Sequence, residues 1–526
     1  MKKWLLATLM ASLAVMLTIP ALAVDVDFSG QYRIRAFYND NPTLQKDGDS
    51  KSASWLDHRF RLGTKFKIND NLSISTRMDV FDELPFGEKD ILYDGYEENR
   101  GKDIEVDGVY LSALTPVGLF KAGRIPGGST FGTDLGDTGV DFSFDRIEYF
   151  AKAGDLIFGA IYEKLVEDNV LGNVDNQGDA DTYYLMGIYK EENMEAGMAF
   201  RFQDVDEVSD LVGHLPLIEV VDRYSAGGTD LTALATSPLV GYPAGRTYYM
   251  DLRQSVPAAS TLGATLAAAG AVPPGTTIPA SPLAAGISQI YYGYGALKDY
   301  AFAPYFKATL GGIRLEAEFI YEIGEYKAKN RGVRFIDQNM ALVNNEDRDI
   351  NGLTYKVEAD FDMAEASFKL GWASSSGQDY SELLKPNGDI TIGNLLYHGL
   401  GDDFRPLLIL TNDIGGQPLN NGYTTMFSGV DLLYAGASFP LNDTLTLRGA
   451  MGQAWTNEDD YTGGKDDLGF EIDLGVTWKI MDNLTYKGDI GYLDEGDEIL
   501  SGTTLLPQAG NGDPTYAVYS EVCVNF

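Results

Sequence analysis

The chain has 526 residues and a formal charge of −37 at pH 7, which excludes a general nucleic-acid binder, since that needs a basic surface. Its one cysteine, Cys523, excludes an internal disulfide, and no Cys-x-x-Cys-His is present to attach a haem covalently. With 31 Tyr, 25 Phe and 59 Gly, the composition suits an aromatic, glycine-rich β protein.

Residues 1–23 read as a secretory signal. Lys2 and Lys3 supply the positive start, Leu5 to Ile19 the apolar stretch, and Ala21-Leu22-Ala23 the cleavage pattern. The apolar stretch is short for a membrane-spanning helix, which needs about 20 residues. The remaining 24–526 is then an exported domain.

Period-two alternation runs through that domain, and helical periodicity is scarce. We count 18 candidate strands: 26–37, 54–68, 72–81, 104–114, 119–125, 143–151, 156–164, 181–190, 194–203, 300–310, 314–325, 352–361, 365–374, 427–439, 445–455, 468–480, 484–493 and 515–526. Most run about ten residues, enough to cross a membrane at the usual tilt. Strands 119–125, 156–164 and 181–190 alternate poorly, so their register is open.

Connections alternate in length. Tight Asn, Asp, Gly and Pro turns follow every even-numbered strand, as in Asn69-Asp70-Asn71, Gly311-Gly312 and Met481-Asp482-Asn483. Three of them share a pattern, at 67–73, 440–446 and 479–485. The other connections are long, and 204–299 is the longest. Short turns on one side and long loops on the other are the pattern of an outer-membrane barrel, which places the turns in the periplasm and the loops outside the cell. The stretch 225–290, rich in Ala, Gly, Pro, Thr and Ser, reads as a surface loop, with a constriction or plug in the lumen as the other reading.

Parity decides which way the faces point. In 54–68, Leu56, Phe60, Leu62, Phe66 and Ile68 share one face, and Asp57, Arg59, Arg61, Lys65 and Lys67 the other. In 468–480, Leu468 to Ile480 at alternate positions oppose Glu471, Asp473 and Lys479. Eighteen apolar faces cannot fill one interior, because a barrel that wide has a lumen side chains cannot span. The expected fold is therefore an all-β, transmembrane, antiparallel up-and-down barrel, oily outside and charged within. Trp372 and Trp478 fall on the oily parity near strand ends, where an aromatic girdle would lie.

The wet parity divides by charge. Early strands carry Arg33, Arg35, Arg59, Arg61, Lys65, Lys67 and Arg77, with Asp57 and Asp79 as the nearest acids. Later strands carry Glu316, Glu318, Glu322, Glu358, Asp360, Glu471, Asp473 and Glu521. A basic wall facing an acidic wall sets a transverse field that selects solutes by charge. The same positions also suit structural cross-strand pairs.

Acidic loop runs such as Glu458-Asp459-Asp460 and Asp175 to Asp181 suit loop-bound Ca²⁺ or bridging to lipopolysaccharide phosphates; no other cofactor and no metal centre is expected. His58, His214 and His398 lie in no hydrolase motif, and Gly-x-Ser-x-Gly is missing, so no enzymatic activity is expected.

The last strand alternates and ends on Phe526, with Val524 and Val522 on the same parity. Such an end resembles the signal read by the barrel-assembly machinery, although Ser520 departs from it. Arg33-Ile-Arg35, Arg59-Phe-Arg61, Val109-Tyr-Leu-Ser112, the run Thr115 to Arg124 and the run Trp478 to Tyr492 complete a wider likeness. In this layout the chain resembles Gram-negative outer-membrane porins, especially the large porins of sulfate- and metal-reducing bacteria, and more distantly the alginate-export barrels of 18 strands. The resemblance implies an outer-membrane channel for passive diffusion of small polar or charged solutes and ions, with lipopolysaccharide around it and a homotrimer as its assembly. A polysaccharide-export or substrate-specific channel, and a sheath around electron-carrying cytochromes, are the competing expectations.

Overall fold

A computed structural model describes residues 24–42, 52–86, 104–127, 131, 132, 135, 143–166, 180–205, 295–328, 347–379, 388–391, 393, 400, 404–411, 428–459, 464–496 and 513–526, with short strand pieces at 220–221, 225–226, 229–230, 290–291, 334–336 and 342–344. The signal segment 1–23 lies outside the described residues, as does most of 204–299.

The main sheet is a closed antiparallel ring of 18 strands, plus the two-residue piece Ile390–Thr391 laid parallel against one of them. The ring strands are β1 (Asp25–Asn39), β2 (Ala53–Asn69), β3 (Leu72–Pro85), β4 (Ile104–Thr115), β5 (Gly118–Pro126), β6 (Ser143–Ala153), β7 (Leu156–Val166), β8 (Ala180–Glu191) and β9 (Met194–Val205). They continue with β10 (Gly295–Leu310), β11 (Ile313–Ala328), β12 (Arg348–Met363), β13 (Ala366–Ser375), β14 (Val430–Pro440), β15 (Leu445–Trp455), β16 (Asp467–Met481), β17 (Leu484–Asp494) and β18 (Thr515–Asn525). Each pairs with its sequence neighbours, and β1 pairs with β18 from Gln31↔Asn525 to Asn39↔Ala517. Closure removes the unpaired edges that a membrane interior does not tolerate.

The turns explain themselves chemically. Gly311 and Gly312 both take positive φ, which a side chain disfavours. Asn442 Oδ1 accepts from the backbone N–H of Thr444 at 2.9 Å and of Leu445 at 3.0 Å, an Asx turn. Two of the three repeated turn sequences also share a register shift, between Lys67 and Asn69 and between Lys479 and Met481. The repeat at 440–446 bends over four residues instead.

The faces are inverted relative to a water-soluble barrel. Leu474 is 63% exposed, and Phe319, Tyr321, Ile323, Val357, Phe361, Ile472, Trp372 and Trp478 are also exposed on the outer face. On the inner face Glu322 and Lys356 are 0% exposed. Among the described residues no helix is long and apolar enough to cross a membrane.

The three poorly alternating strands pair antiparallel, as β5, β7 and β8, with one register shift between Lys164 and Val166 in the β7–β8 pair. For β7 and β8 the structure supplies a reason. Their inner face carries Ile161 and Met186, which pack with Ala199 and with Phe131 of the β5–β6 connection. Both faces are therefore apolar there, so period two fades.

Candidate functional site

The inner wall is where the charged side chains meet. At the β1–β4 side, Arg33, Arg59, Arg61, Lys65 and Arg77 line one cavity of about 1030 Å³, joined by Lys487 of β17 and Glu521 of β18. The pleat brings them together, because alternate residues of neighbouring strands point the same way. Two cations sit apart from it. Arg35 forms a two-pronged pair with Asp57, Nε and Nη2 each at 2.8 Å. Lys67 bonds Asp27 at 2.6 Å near the turn end.

Within the cavity the arginines differ. Arg61 grips Asp79 through Nε at 2.8 Å and Nη2 at 2.5 Å, and Arg77 reaches Asp107 at 3.1 Å. Arg33 and Arg59 stand opposite each other across the β1–β2 ladder.

The acids of the later strands are knitted to cations. Arg201 of β9 bonds Asp299 and Glu322, both at 2.5 Å. Glu316 accepts from Lys356 at 3.3 Å, and Glu358 from Lys369 at 2.7 Å and from the Tyr434 hydroxyl at 2.7 Å. Asp360 lies 3.7 Å from Arg314. Glu318 is buried beside Gly132 of the β5–β6 connection. Glu521 meets Lys487 at 3.3 Å. Much of the acidic set is thus bonded across strands, and its field is partly cancelled.

Glu471 and Asp473 have a different setting. Residues 404–411, from the long β13–β14 connection, fold against the inner wall. Leu407 is 1% exposed and Leu410 0%. Leu408, Ile409 and Phe404 are buried with them, in a cluster that draws on inner-face Ala373, Leu432, Ala454 and Leu493. Leu468, expected on the oily parity, is buried in it too, because the β15–β16 register shifts at Ala454/Trp455. Glu471 Oε1 accepts the N–H of Ile409 at 2.6 Å, and Oε2 that of Leu410 at 2.8 Å. Asp473 Oδ2 accepts the N–H of Leu408 at 3.1 Å. Below the segment a second cavity of about 430 Å³ is bordered by Arg405, Leu407, Leu408, Lys369, Arg448 and Asp489.

The sequence reading favoured a surface loop within 204–299, with a constriction as the second reading, and passed over 404–411. A signal was present: Pro406-Leu407-Leu408-Ile409-Leu410 is the longest unbroken apolar run in its connection. Arg201 was also missed, because its strand alternates through Gly, Ala and Gln rather than a row of charge. Among the described residues no three His, Cys, Asp or Glu side chains are arranged to hold a metal ion. Most of Asp175 to Asp181, the acidic loop run considered for Ca²⁺, lies outside the described residues.

Val522, Val524 and Phe526 all lie on the outer face at the seam. Phe526 stacks on Phe60 at 6.0 Å between ring centres.

No family model matches the chain, and no curated protein matches it. Among solved structures, OccAB1 of Acinetobacter baumannii aligns at 10% identity with a TM-score of 0.49, covering 97% of this chain and 99% of that one. OccAB2 of the same organism aligns at 11% identity and TM-score 0.47, covering 95% and 98%. An anion-selective porin from Comamonas acidovorans aligns at 10% identity and TM-score 0.38, covering 95% and 99%.

Proposed function

We propose that this chain is an outer-membrane porin, a passive channel for small polar or charged solutes and ions. One observation carries the reading: a closed ring with exposed Leu, Ile, Phe and Trp outside and ionisable side chains inside. Apolar side chains on the outer face are stable against hydrocarbon, and the charges inside require water or each other. Lipid and lipopolysaccharide are then the surroundings of the outer face, and the assembly machinery the first reader of Phe526, Val524 and Val522.

Solute choice in this reading comes from size and charge, with no chemistry and no energy input. The cavity holding Arg33, Arg59, Arg61, Lys65 and Arg77 supplies the basic wall. Glu316, Glu318, Glu322, Glu358 and Asp360 supply a weaker acidic wall, since cations on neighbouring strands bond several of them. A more selective channel is favoured by one further observation, the inward position of 404–411. A segment packed on the inner wall takes up lumen space and so restricts what passes.

Planar-bilayer recording of the purified barrel tests the proposal. Stepwise currents with a measurable ion preference are the expected result. A barrel that inserts and passes no current overturns it.

A further inference from the structure

Glu471 and Asp473 stand among the acids of the wet parity, yet their carboxylates are turned to a backbone. Between them they accept the N–H groups of three successive residues, Leu408, Ile409 and Leu410. A second feature of the wall matches the first. The cross-strand neighbour of Glu471 on β15 is Gly452, and that of Asp473 on β17 is Gly491. A Cβ on Gly452 would stand 2.7 Å from Leu407 Cδ1, and one on Gly491 would collide with Asp473 Oδ1 and stand 3.2 Å from Leu408 Cδ2. Each carboxylate that takes a backbone donor therefore sits beside a glycine: Gly452 makes room for Leu407, and Gly491 for the Asp473 carboxylate and, behind it, Leu408. The segment is also self-braced: Thr411 Oγ1 accepts from the Leu407 N–H and donates to the Leu407 carbonyl, both at 2.9 Å.

We infer that Glu471, Asp473, Gly452 and Gly491 form a built seat that holds 404–411 as a fixed constriction, and that the two carboxylates are positioning residues rather than solute-selecting charges. This rests on the channel reading for its consequence, though not for the seat itself. The physical reason is satisfaction. Three N–H groups buried against an apolar cluster need acceptors, and carboxylates are the strongest available. Once so engaged, the two acids offer little to a passing ion. Solutes would instead meet Arg405, which is exposed and borders the second cavity.

Two measurements test this. In a Cys523→Ser background, Leu408→Cys is treated with a water-soluble maleimide on the folded full-length barrel. Labelling is expected to be slow, and to become many times faster when Glu471→Ala and Asp473→Ala are added. Equal rates in the two backgrounds overturn the seat. In single-channel recording, the double Glu471→Ala, Asp473→Ala variant is expected to conduct severalfold more with little change in reversal potential. Gly452→Val keeps both carboxylates and is expected to raise conductance as well, by expelling Leu407. An unchanged conductance with a reversal potential moved toward anions overturns the positioning role and restores the two acids to the charged wall. A wild-type barrel that conducts nothing overturns the channel reading alone, and the labelling rates still decide the seat.

Discussion

Gly30 and Phe526 close the barrel as a reciprocal pair: the Gly30 N–H donates to the Phe526 carbonyl at 2.8 Å, and the Phe526 N–H to the Gly30 carbonyl at 3.0 Å. A Cβ at position 30 would collide with the Phe526 ring and with the Arg61 carbonyl oxygen. The glycine is therefore the bed of the terminal aromatic. Gly30→Val is expected to lower the yield of folded barrel, read as the heat-modifiable band on a denaturing gel. Phe526→Ala is expected to lower it too. If the ring's collision is the main fault, the double variant folds better than Gly30→Val alone, a coupling that additive effects do not produce.

The basic wall is best probed at Arg33 and Arg59. Both line the cavity, and their replacement leaves the Arg35–Asp57 and Arg61–Asp79 pairs intact. Arg33→Gln with Arg59→Gln is expected to shift the reversal potential toward cations in a salt gradient, with the barrel still folded. A potential that does not move assigns these arginines a structural role only.

Arg35 should behave differently. Its side chain and that of Asp57 are buried together and doubly bonded. Removing one member of such a pair costs on the order of 3–5 kcal/mol, because the other charge is left without compensation. Arg35→Ala is expected to lower the unfolding midpoint in denaturant, and Arg35→Ala with Asp57→Ala to recover much of the loss.

The outer face gives a prediction of its own. Leu474 lies mid-strand on β16 with its side chain outward. Leu474→Lys is expected to destabilise the barrel in bilayers by about 2–4 kcal/mol, the cost of a lysine at the membrane midplane. The same change at inner-face Thr485, which lines the polar cavity, is expected to cost far less. Equal costs at the two sites would remove the lipid-facing assignment.

Much of the fold was legible in the chain because a strand has only two faces. Leu56 against Asp57, or Ile472 against Asp473, assigns a side by arithmetic alone, and Asn69-Asp70-Asn71 marks a turn by its own chemistry. The site was less legible. Nothing local distinguishes Glu358, bonded to Lys369 and Tyr434, from Glu471, bonded to a backbone. Nor does Gly452 announce that a leucine from 45 residues earlier in the chain will occupy its missing side chain.

Alternation along most strands, with the tight turns and long loops between them, determined a closed ring of 18 strands with an oily exterior, because period-two side chains and two solvents admit few other arrangements. The tertiary structure decided which inner charges pair, which gather in the cavity around Arg33 and Arg59, and which are covered by 404–411. Those outcomes depend on strand stagger and on a loop turning inward, and both are contacts between residues far apart in sequence.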